Sequence, residues 1–282
     1  MSPPPYSDLG KKAKDVFNKG YHFGLVKLDV KTKSNTGVEF TSSGTSNQES
    51  GKVAGSLETK YKVKDYGFTF TEKWTTENNL NTEFAVQDQF VPGLKLSTSV
   101  NFAPQTGNKT GTVKAAYVNN QVALNVDSDL TGDGPLVTAS AVVGYQGWLA
   151  GYLAGYDINN KKLTKSNFAL GFSTPDFTIH SNVDQGQEFS GVVYQKINSQ
   201  LETGISLNWT GSSSNTKFGI AAKYSLDNDA SLRFKVNNQS QIGLGYQQRL
   251  RDGVTLTLST LIDGKNFNQG GHKIGLALEL EA

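Results

Sequence analysis

The sequence predicts an all-β membrane protein built as a single closed transmembrane β-barrel. Three observations point there. Apolar and polar residues alternate with period two in segment after segment, turn residues separate those segments at regular spacing, and no shift of composition divides the chain. Successive side chains of a strand point to opposite faces, so a period-two pattern gives each strand one apolar and one polar face.

The first residues follow a different rule. Tyr6 to Lys19 read YSDLGKKAKDVFNK, and Tyr6, Leu9, Ala13, Val16 and Phe17 recur at helical spacing, with Lys11, Lys12, Lys14 and Lys19 on the remaining positions. The spacing predicts a basic amphipathic helix over this stretch. Pro3, Pro4 and Pro5 bar its extension upstream, and Gly20 can end it downstream. Such a helix can lie on a membrane surface. It can also serve as a targeting presequence, although Asp8 and Asp15 count against that. The reading favoured is a plug that packs its stripe on the inner wall of a wide polar barrel. Gly20 and Gly24 then flank a short link, GYHFG, into the first strand. The expected division is 1–24 for helix and glycine linker, and 25–282 for the barrel.

From Leu25 onward the alternation is continuous. Val26, Leu28 and Val30 oppose Lys27, Asp29 and Lys31. Leu57, Tyr61 and Val63 oppose Glu58, Lys60 and Lys62; Leu94, Leu96 and Val100 oppose Lys95, Ser97 and Ser99. The same holds for Ile205 to Trp209, Phe218 to Tyr224, Leu232 to Val236 and Ile274 to Leu280. Between them lie turn signals such as Ser34-Asn35-Thr36-Gly37, Pro104-Gln105-Thr106-Gly107, Asn159-Asn160 and Asp252-Gly253. At ~13 residues for a strand and its turn, positions 25 to 282 hold roughly 18–20 strands. One stretch, Val137 to Tyr156, is apolar enough to resemble a membrane helix. Its Gly-Tyr-Gln-Gly centre splits it into two strand-length pieces and predicts a hairpin.

Alternation alone cannot say which face meets lipid. A soluble sandwich or propeller turns its apolar face into a core, and a membrane barrel turns it outward. So many strands are unusual for one soluble sheet pair, and closure removes the edges they would otherwise expose.

Composition narrows the function. Lys and Arg number 27 and Asp and Glu 25, too balanced for a bulk nucleic-acid binder. The chain has no cysteine, which excludes disulfides and thiolate metal sites, and His22, His180 and His272 lack metal-ligand spacing. No phosphate-binding loop, nucleophile elbow or paired catalytic carboxylates can be singled out, so an enzyme is not expected. The start has no apolar core of the secretory type, which argues against export by that route.

Several stretches carry a resemblance: PPYSDLGKKAKDVFNKGYHFGLVKLDVKT at the start, SLETKYK, GFTFTEKWTTEN, GYQGWLAGY, and DGKNFNQGGHKIGLALELEA at the end. Together the chain resembles, over its whole length, the mitochondrial voltage-dependent anion channels, the eukaryotic porins. That resemblance implies a 19-stranded barrel, a count general to the family, whose first and last strands pair in parallel, with the helix inside the pore. It implies a voltage-gated, weakly anion-selective pore of the mitochondrial outer membrane. ATP, ADP and other small anionic metabolites would pass by diffusion, with no resident cofactor. Gly20 and Gly24 match a gating hinge, with His22 standing where the family carries a glycine. Lys11 and Lys19 match nucleotide contacts. Gln241, Ile242 and Gly243, with Ser259, Thr260, Leu261, Ile262 and Asp263, match a nicotinamide-nucleotide (NADH) contact, where Gln241 replaces an apolar residue. The final strand resembles a sorting signal for mitochondrial barrels. Implied partners are membrane lipid, hexokinase, apoptosis regulators and further copies of the chain, with no nucleic acid. Competing readings are a protein-import barrel and a soluble β-sandwich binding protein.

Two expectations come from parity. Phe68, Phe70, Glu72 and Trp74 share one face, so if the aromatics meet lipid, Glu72 does too, where a charge is costly to hold. A register break or a position at headgroup level would spare it that cost. The resemblance implies that Glu72 acts in gating dynamics, self-association and hexokinase docking. The inward face is expected to collect Lys27, Lys31, Lys60, Lys62, Lys95, Lys114, Lys223, Arg233, Lys235 and Lys273 against Asp29, Glu58, Glu83, Asp127 and Glu188. That basic excess would raise the local anion concentration.

Overall fold

The computed structural model describes residues 2–131, 134–211, 216–268 and 270–282. Among them, nineteen strands close into one sheet. They are β1 Leu25–Lys33, β2 Val38–Asn47, β3 Val53–Val63, β4 Phe68–Thr75, β5 Leu80–Gln87, β6 Leu94–Ala103 and β7 Asn108–Val118. There follow β8 Val122–Thr131, β9 Gly134–Tyr145, β10 Trp148–Asp157, β11 Lys162–Ser173, β12 Phe177–Asp184 and β13 Glu188–Lys196. The last are β14 Leu201–Thr210, β15 Thr216–Ser225, β16 Ala230–Asn237, β17 Gln241–Arg251, β18 Val254–Asp263 and β19 Lys273–Glu281. Each strand pairs antiparallel with the next. β1 then pairs parallel with β19, from Val26 opposite Leu276 to Lys31 opposite Glu281, so the sheet has no free edge. The strand number and the parallel seam are those expected. The apolar stretch from Val137 to Tyr156 is the β9–β10 hairpin, turning at Gln146 and Gly147, both at positive φ.

The question left open by alternation is answered by exposure. Leu28, Phe40, Leu57, Phe84, Leu170 and Ile179 are 41–65% exposed, and they lie on the outer parity of their strands. A soluble sandwich would bury these side chains. A continuous apolar outer surface of this kind requires lipid, which sets aside the soluble reading. All three tryptophans lie on that outer face at or one residue from a strand end: Trp74 in β4, Trp148 in β10 and Trp209 in β14. Trp148 packs on Phe172 and Trp209 stacks on Phe189, each with ring centroids 5.1–5.2 Å apart. Amphipathic rings at that height sit at the membrane–water boundary.

Inside the barrel lies the N-terminal segment, and it is not the single helix expected. A 3₁₀ turn, Tyr6–Asp8, is followed by Leu9 in extended conformation and Gly10 in the left-handed region at φ 70°. The α-helix proper, α1, is Lys11–Asn18. Gly10 explains the break, since only glycine adopts that conformation without a Cβ penalty. The expected apolar stripe survives it. Leu9, Ala13 and Val16 are at most 2% exposed, and with residues of the wall they form two buried clusters. Leu9 packs with Ala123, Val142 and Ala169; Ala13 and Val16 pack with Tyr194 and Ala221. Among the described residues, the only substantial apolar core thus lies between the plug and the wall.

Because β19 has a neighbour on each side, a proline there removes a ladder hydrogen bond wherever it falls. Leu278→Pro is expected to prevent closure, seen as loss of the folded electrophoretic band and of the β signal in circular dichroism after refolding in detergent.

Candidate functional site: the pore wall and the segment seated on it

The N-terminal segment follows a track of small residues across the inner wall. A Cβ placed on Gly144 of β9 would stand 3.1 Å from Pro3, and one on Gly151 of β10 would stand 3.0 Å from Tyr6 and 3.1 Å from Leu9. On Gly204 of β14 and Gly219 of β15 it would meet the Phe17 ring at 3.2 and 3.1 Å. On Gly243 of β17 it would come within 2.7 Å of Phe23, and on Gly275 of β19 within 1.8 Å of the His22 carbonyl oxygen. Glycine weakens a strand by ~0.5–1 kcal/mol relative to alanine, and in strands it often marks close approach of another backbone. Here what approaches is the protein's own N-terminal segment, by its side chains at five of these glycines and by its backbone at Gly275.

Two lysines fasten the ends of α1. Lys12 donates through Nζ to the carbonyls of Thr174 (2.9 Å) and Pro175 (3.0 Å) in the β11–β12 turn, and lies 5.7 Å over the Tyr194 ring. Lys235 of β16 donates to the Phe17 carbonyl at 2.9 Å and sits over the Tyr21 and Phe23 rings at 4.2 and 5.0 Å. That carbonyl belongs to the last turn of the helix, where C=O groups lack intrahelical partners and a cation is favoured. The linker is held as well. The His22 amide donates to Ser259 Oγ at 3.0 Å, and Arg233 packs beneath Gly20.

The sequence-derived site residues fall into four places. Lys11 and Lys19 face the pore, largely exposed, each paired with a carboxylate of its own segment: Lys11 with Asp8 at 3.4 Å, Lys19 with Asp15 at 2.8 Å. Such exposed pairs contribute little to stability and break readily. Gly20 and Gly24, the expected hinge, have φ of 74° and 72°, which glycine alone tolerates without strain. The stretches around 241 and 259 are brought side by side: Gln241 pairs with Asp263, Ile242 with Ile262, and Gly243 with Leu261. Alternation divides them, with Gln241, Gly243, Ser259, Leu261 and Asp263 toward the pore and Ile242, Thr260 and Ile262 toward lipid. Gln241, Gly243 and Leu261 line a cavity of about 320 Å³ with Phe17, Phe23 and Lys235. Ser259 is engaged by His22, and the Asp263 carboxylate accepts the amides of Lys265 and Asn266. Glu72 lies apart from all of these, on the outer face of β4 and exposed, between Thr59 of β3 and Thr82 of β5.

Elsewhere on the inner wall, charges of opposite sign pair. Lys27 pairs with Asp29, Lys73 with Glu58 at 4.0 Å, and Lys273 with Glu49 at 2.9 Å. Lys114 and Asp127 are cross-strand partners. In the linker, burial holds the His22 imidazole below its ordinary range; Lys27 adds to this, while Glu279 and Asp29 oppose it. Burial likewise pushes the Tyr21 phenol up to about 12, with Arg233 pulling the other way. Both groups are neutral at pH 7 and suit the confined space they occupy.

The family model described as eukaryotic porin matches residues 2–275. The chain belongs to the eukaryotic porins. Among its relatives are the "Voltage-dependent anion-selective channel" of Drosophila melanogaster, 64% identical over 282 residues and covering all of both chains, and the "Non-selective voltage-gated ion channel VDAC2" of Xenopus laevis, 61% identical over 280 residues and 99% of both. The human protein of that second name is 57% identical over 280 residues, 99% of this chain and 95% of its own.

Parity puts Arg233 and Lys235 on the inward face with the other lumen charges. The structure places both against the linker, with Lys235 bonded to Phe17. The sequence-based expectations omit Glu202, which pairs with Lys223 at 3.4 Å, and the fastening role of Lys12. Parity could have supplied Glu202, whose neighbours Leu201 and Thr203 face outward; nothing local marks Lys12.

Two outcomes follow from this clamp. Lys235→Met removes a charge-assisted hydrogen bond worth ~1.5–3 kcal/mol. Since the chain has no native cysteine, a thiol introduced by Ala13→Cys is a clean reporter. Its maleimide labelling is expected to rise roughly ten- to a hundredfold when Lys235→Met is added. Because the seated His22 has a lowered pKa, seating is complete above the ordinary imidazole value of ~6.5 and weakens as pH falls through the lowered one. In a histidine-labelled NMR titration His22 should titrate below that value, and Lys27→Gln should raise its midpoint.

Proposed function

We propose that this porin is a voltage-gated, weakly anion-selective pore of the mitochondrial outer membrane, passing ATP, ADP and other small anionic metabolites by passive diffusion. The observation that carries this reading is a closed barrel, apolar outside and charged inside, holding a cationic segment against its wall by polar contacts that can be broken. The names of the relatives agree on voltage gating and differ on selectivity, and a wall whose charges pair with opposite sign suits a weak preference. The remaining bias comes from the segment. Lys11, Lys12, Lys14 and Lys19 outnumber Asp8 and Asp15 where the plug narrows the lumen. Charge crossing the full membrane potential is worth ~2.3 kcal/mol per elementary charge per 100 mV, comparable with the contacts that hold the plug.

On this reading Lys11 and Lys19 break their intrasegment pairs to meet nucleotide phosphates in transit, and Gly20 and Gly24 bend the linker when the segment moves. The cavity at Gln241, Gly243 and Leu261 takes a nicotinamide nucleotide as a regulator, with Lys235 beside it. Glu72 is a lipid-facing carboxylate used in self-association and in docking hexokinase, and apoptosis regulators share the platform.

The test is conductance in a planar bilayer under a salt gradient, with voltage swept to both signs. Large anion-preferring steps that fall to substates at either polarity are expected. Replacing Lys11, Lys12, Lys14 and Lys19 by glutamine should move the reversal potential toward zero, and an unaltered value would refute the assignment of selectivity to the segment. Glu72→Gln should leave the barrel and its main conductance intact while changing gating noise, self-association and hexokinase binding together.

A further inference from the structure

At one mouth of the pore, the start of α1 meets the β9–β10 and β11–β12 turns around a cavity of about 740 Å³. That is the size of a site for a drug-sized molecule. Four features of its lining converge. Lys11, largely exposed, holds only Asp8. Lys12 spends two of its three ammonium donors on the Thr174 and Pro175 carbonyls, which leaves one. Gly10 offers no side-chain cap, so the first amides of α1 add their partial positive charge at the same place. The fourth feature is independent of the helix. His180 of β12 is 6% exposed, and its Nδ1 meets no hydrogen-bond partner. The space before that nitrogen is kept open by glycine, since a Cβ on Gly171 would stand 3.2 Å from it. Pro4 and Leu149 supply apolar surface.

A buried polar atom without a partner costs ~1–3 kcal/mol, and the residue that carries it lines a cavity bordered by two ammonium groups. We propose that this cavity is a binding site for a small organic anion. Its carboxylate or phosphate head lies between Lys11, the third donor of Lys12 and the first turn of α1. Its flat apolar body lies on Leu149 and Pro4, and a polar atom on that body meets His180 Nδ1. The site is separate from the cavity at Gln241, at the other end of α1. An occupant would bear on both Lys12 and the wall, and so would hold the segment in its seated position.

The chain contains three histidines, His22, His180 and His272, so each imidazole can be followed by NMR in histidine-labelled porin in lipid nanodiscs. This reads binding without conductance, and a failure here leaves the channel reading untouched. The probes are 4-phenylbutyrate, phenyl phosphate, the uncharged 4-phenylbutyramide and inorganic phosphate. Both aromatic anions are expected to shift His180 saturably, with unmoved His272 reporting an intact fold. The head preferred, carboxylate or phosphate, follows from their relative midpoints. The amide and inorganic phosphate should bind about tenfold more weakly or not at all, and Lys11→Gln should weaken the anions by a similar factor. The proposal is overturned if His180 shows no saturable shift up to about 10 mM probe. It is overturned equally if the amide matches the acid, which would mean an apolar cleft only, or if inorganic phosphate matches the aromatic anions, which would mean an unspecific anion site.

Discussion

No water reaches the hydrocarbon of a bilayer, so every backbone N–H and C=O of a spanning segment must find its partner within the protein. The rest of this structure follows from that requirement. Strands satisfy it only when the sheet has no edge, and with nineteen strands the last must lie parallel to the first. Closure fixes the alternation in turn: one parity of each strand meets lipid and the other meets the lumen. The apolar residues therefore go outward, and the lumen is left with serines, threonines and paired charges. Among the described residues, the barrel wall makes no hydrophobic core of its own. What core the molecule has, it makes by placing its own N-terminus inside.

That placement is steric before it is electrostatic. The inner wall is rough where it carries lysine, glutamate and threonine, and smooth where it carries Gly144, Gly151, Ala169, Gly204, Gly219, Ala221 and Gly275. The segment lies where the wall is smooth. Lys12 and Lys235 then fasten the ends of α1 through carbonyl oxygens, contacts strong enough to hold it and modest beside the work a membrane potential can do on its charges. Firm seating and responsiveness to voltage come from the same set of groups.

Much of this was legible in the sequence because it is local. Parity gave strands their faces, Asn and Gly gave the turns, and the Tyr145–Trp148 hairpin was visible in a run that hydropathy alone would have taken for a helix. What was not legible depends on contacts between distant positions. Gly144 and Gly151 read as interruptions of an apolar run, when they are seats for Pro3, Tyr6 and Leu9. Lys235 read as a lumen charge because parity points it inward, and parity cannot know that Phe17 and Tyr21 stand in front of it. The break at Gly10 was hidden because the stripe from Tyr6 to Phe17 keeps helical spacing while the backbone does not keep helical form. His180 read as one of three scattered histidines, and only the fold shows that its Nδ1 is buried beside Gly171 without a partner.

The parallel seam also dictates an order of assembly. Val26 and Leu276 are neighbours in space and about 250 positions apart in sequence, whereas every other strand pair joins strands consecutive in sequence. Hairpins can zip one onto the next at small entropic cost, but the seam joins the two ends of the whole array. Until β19 docks, β1 and β18 present bare hydrogen-bonding edges, the kind of edge that recruits a foreign strand. The nascent barrel is most vulnerable to mispairing at its final step, and its last nine-residue strand decides whether the preceding eighteen become a pore or an aggregate.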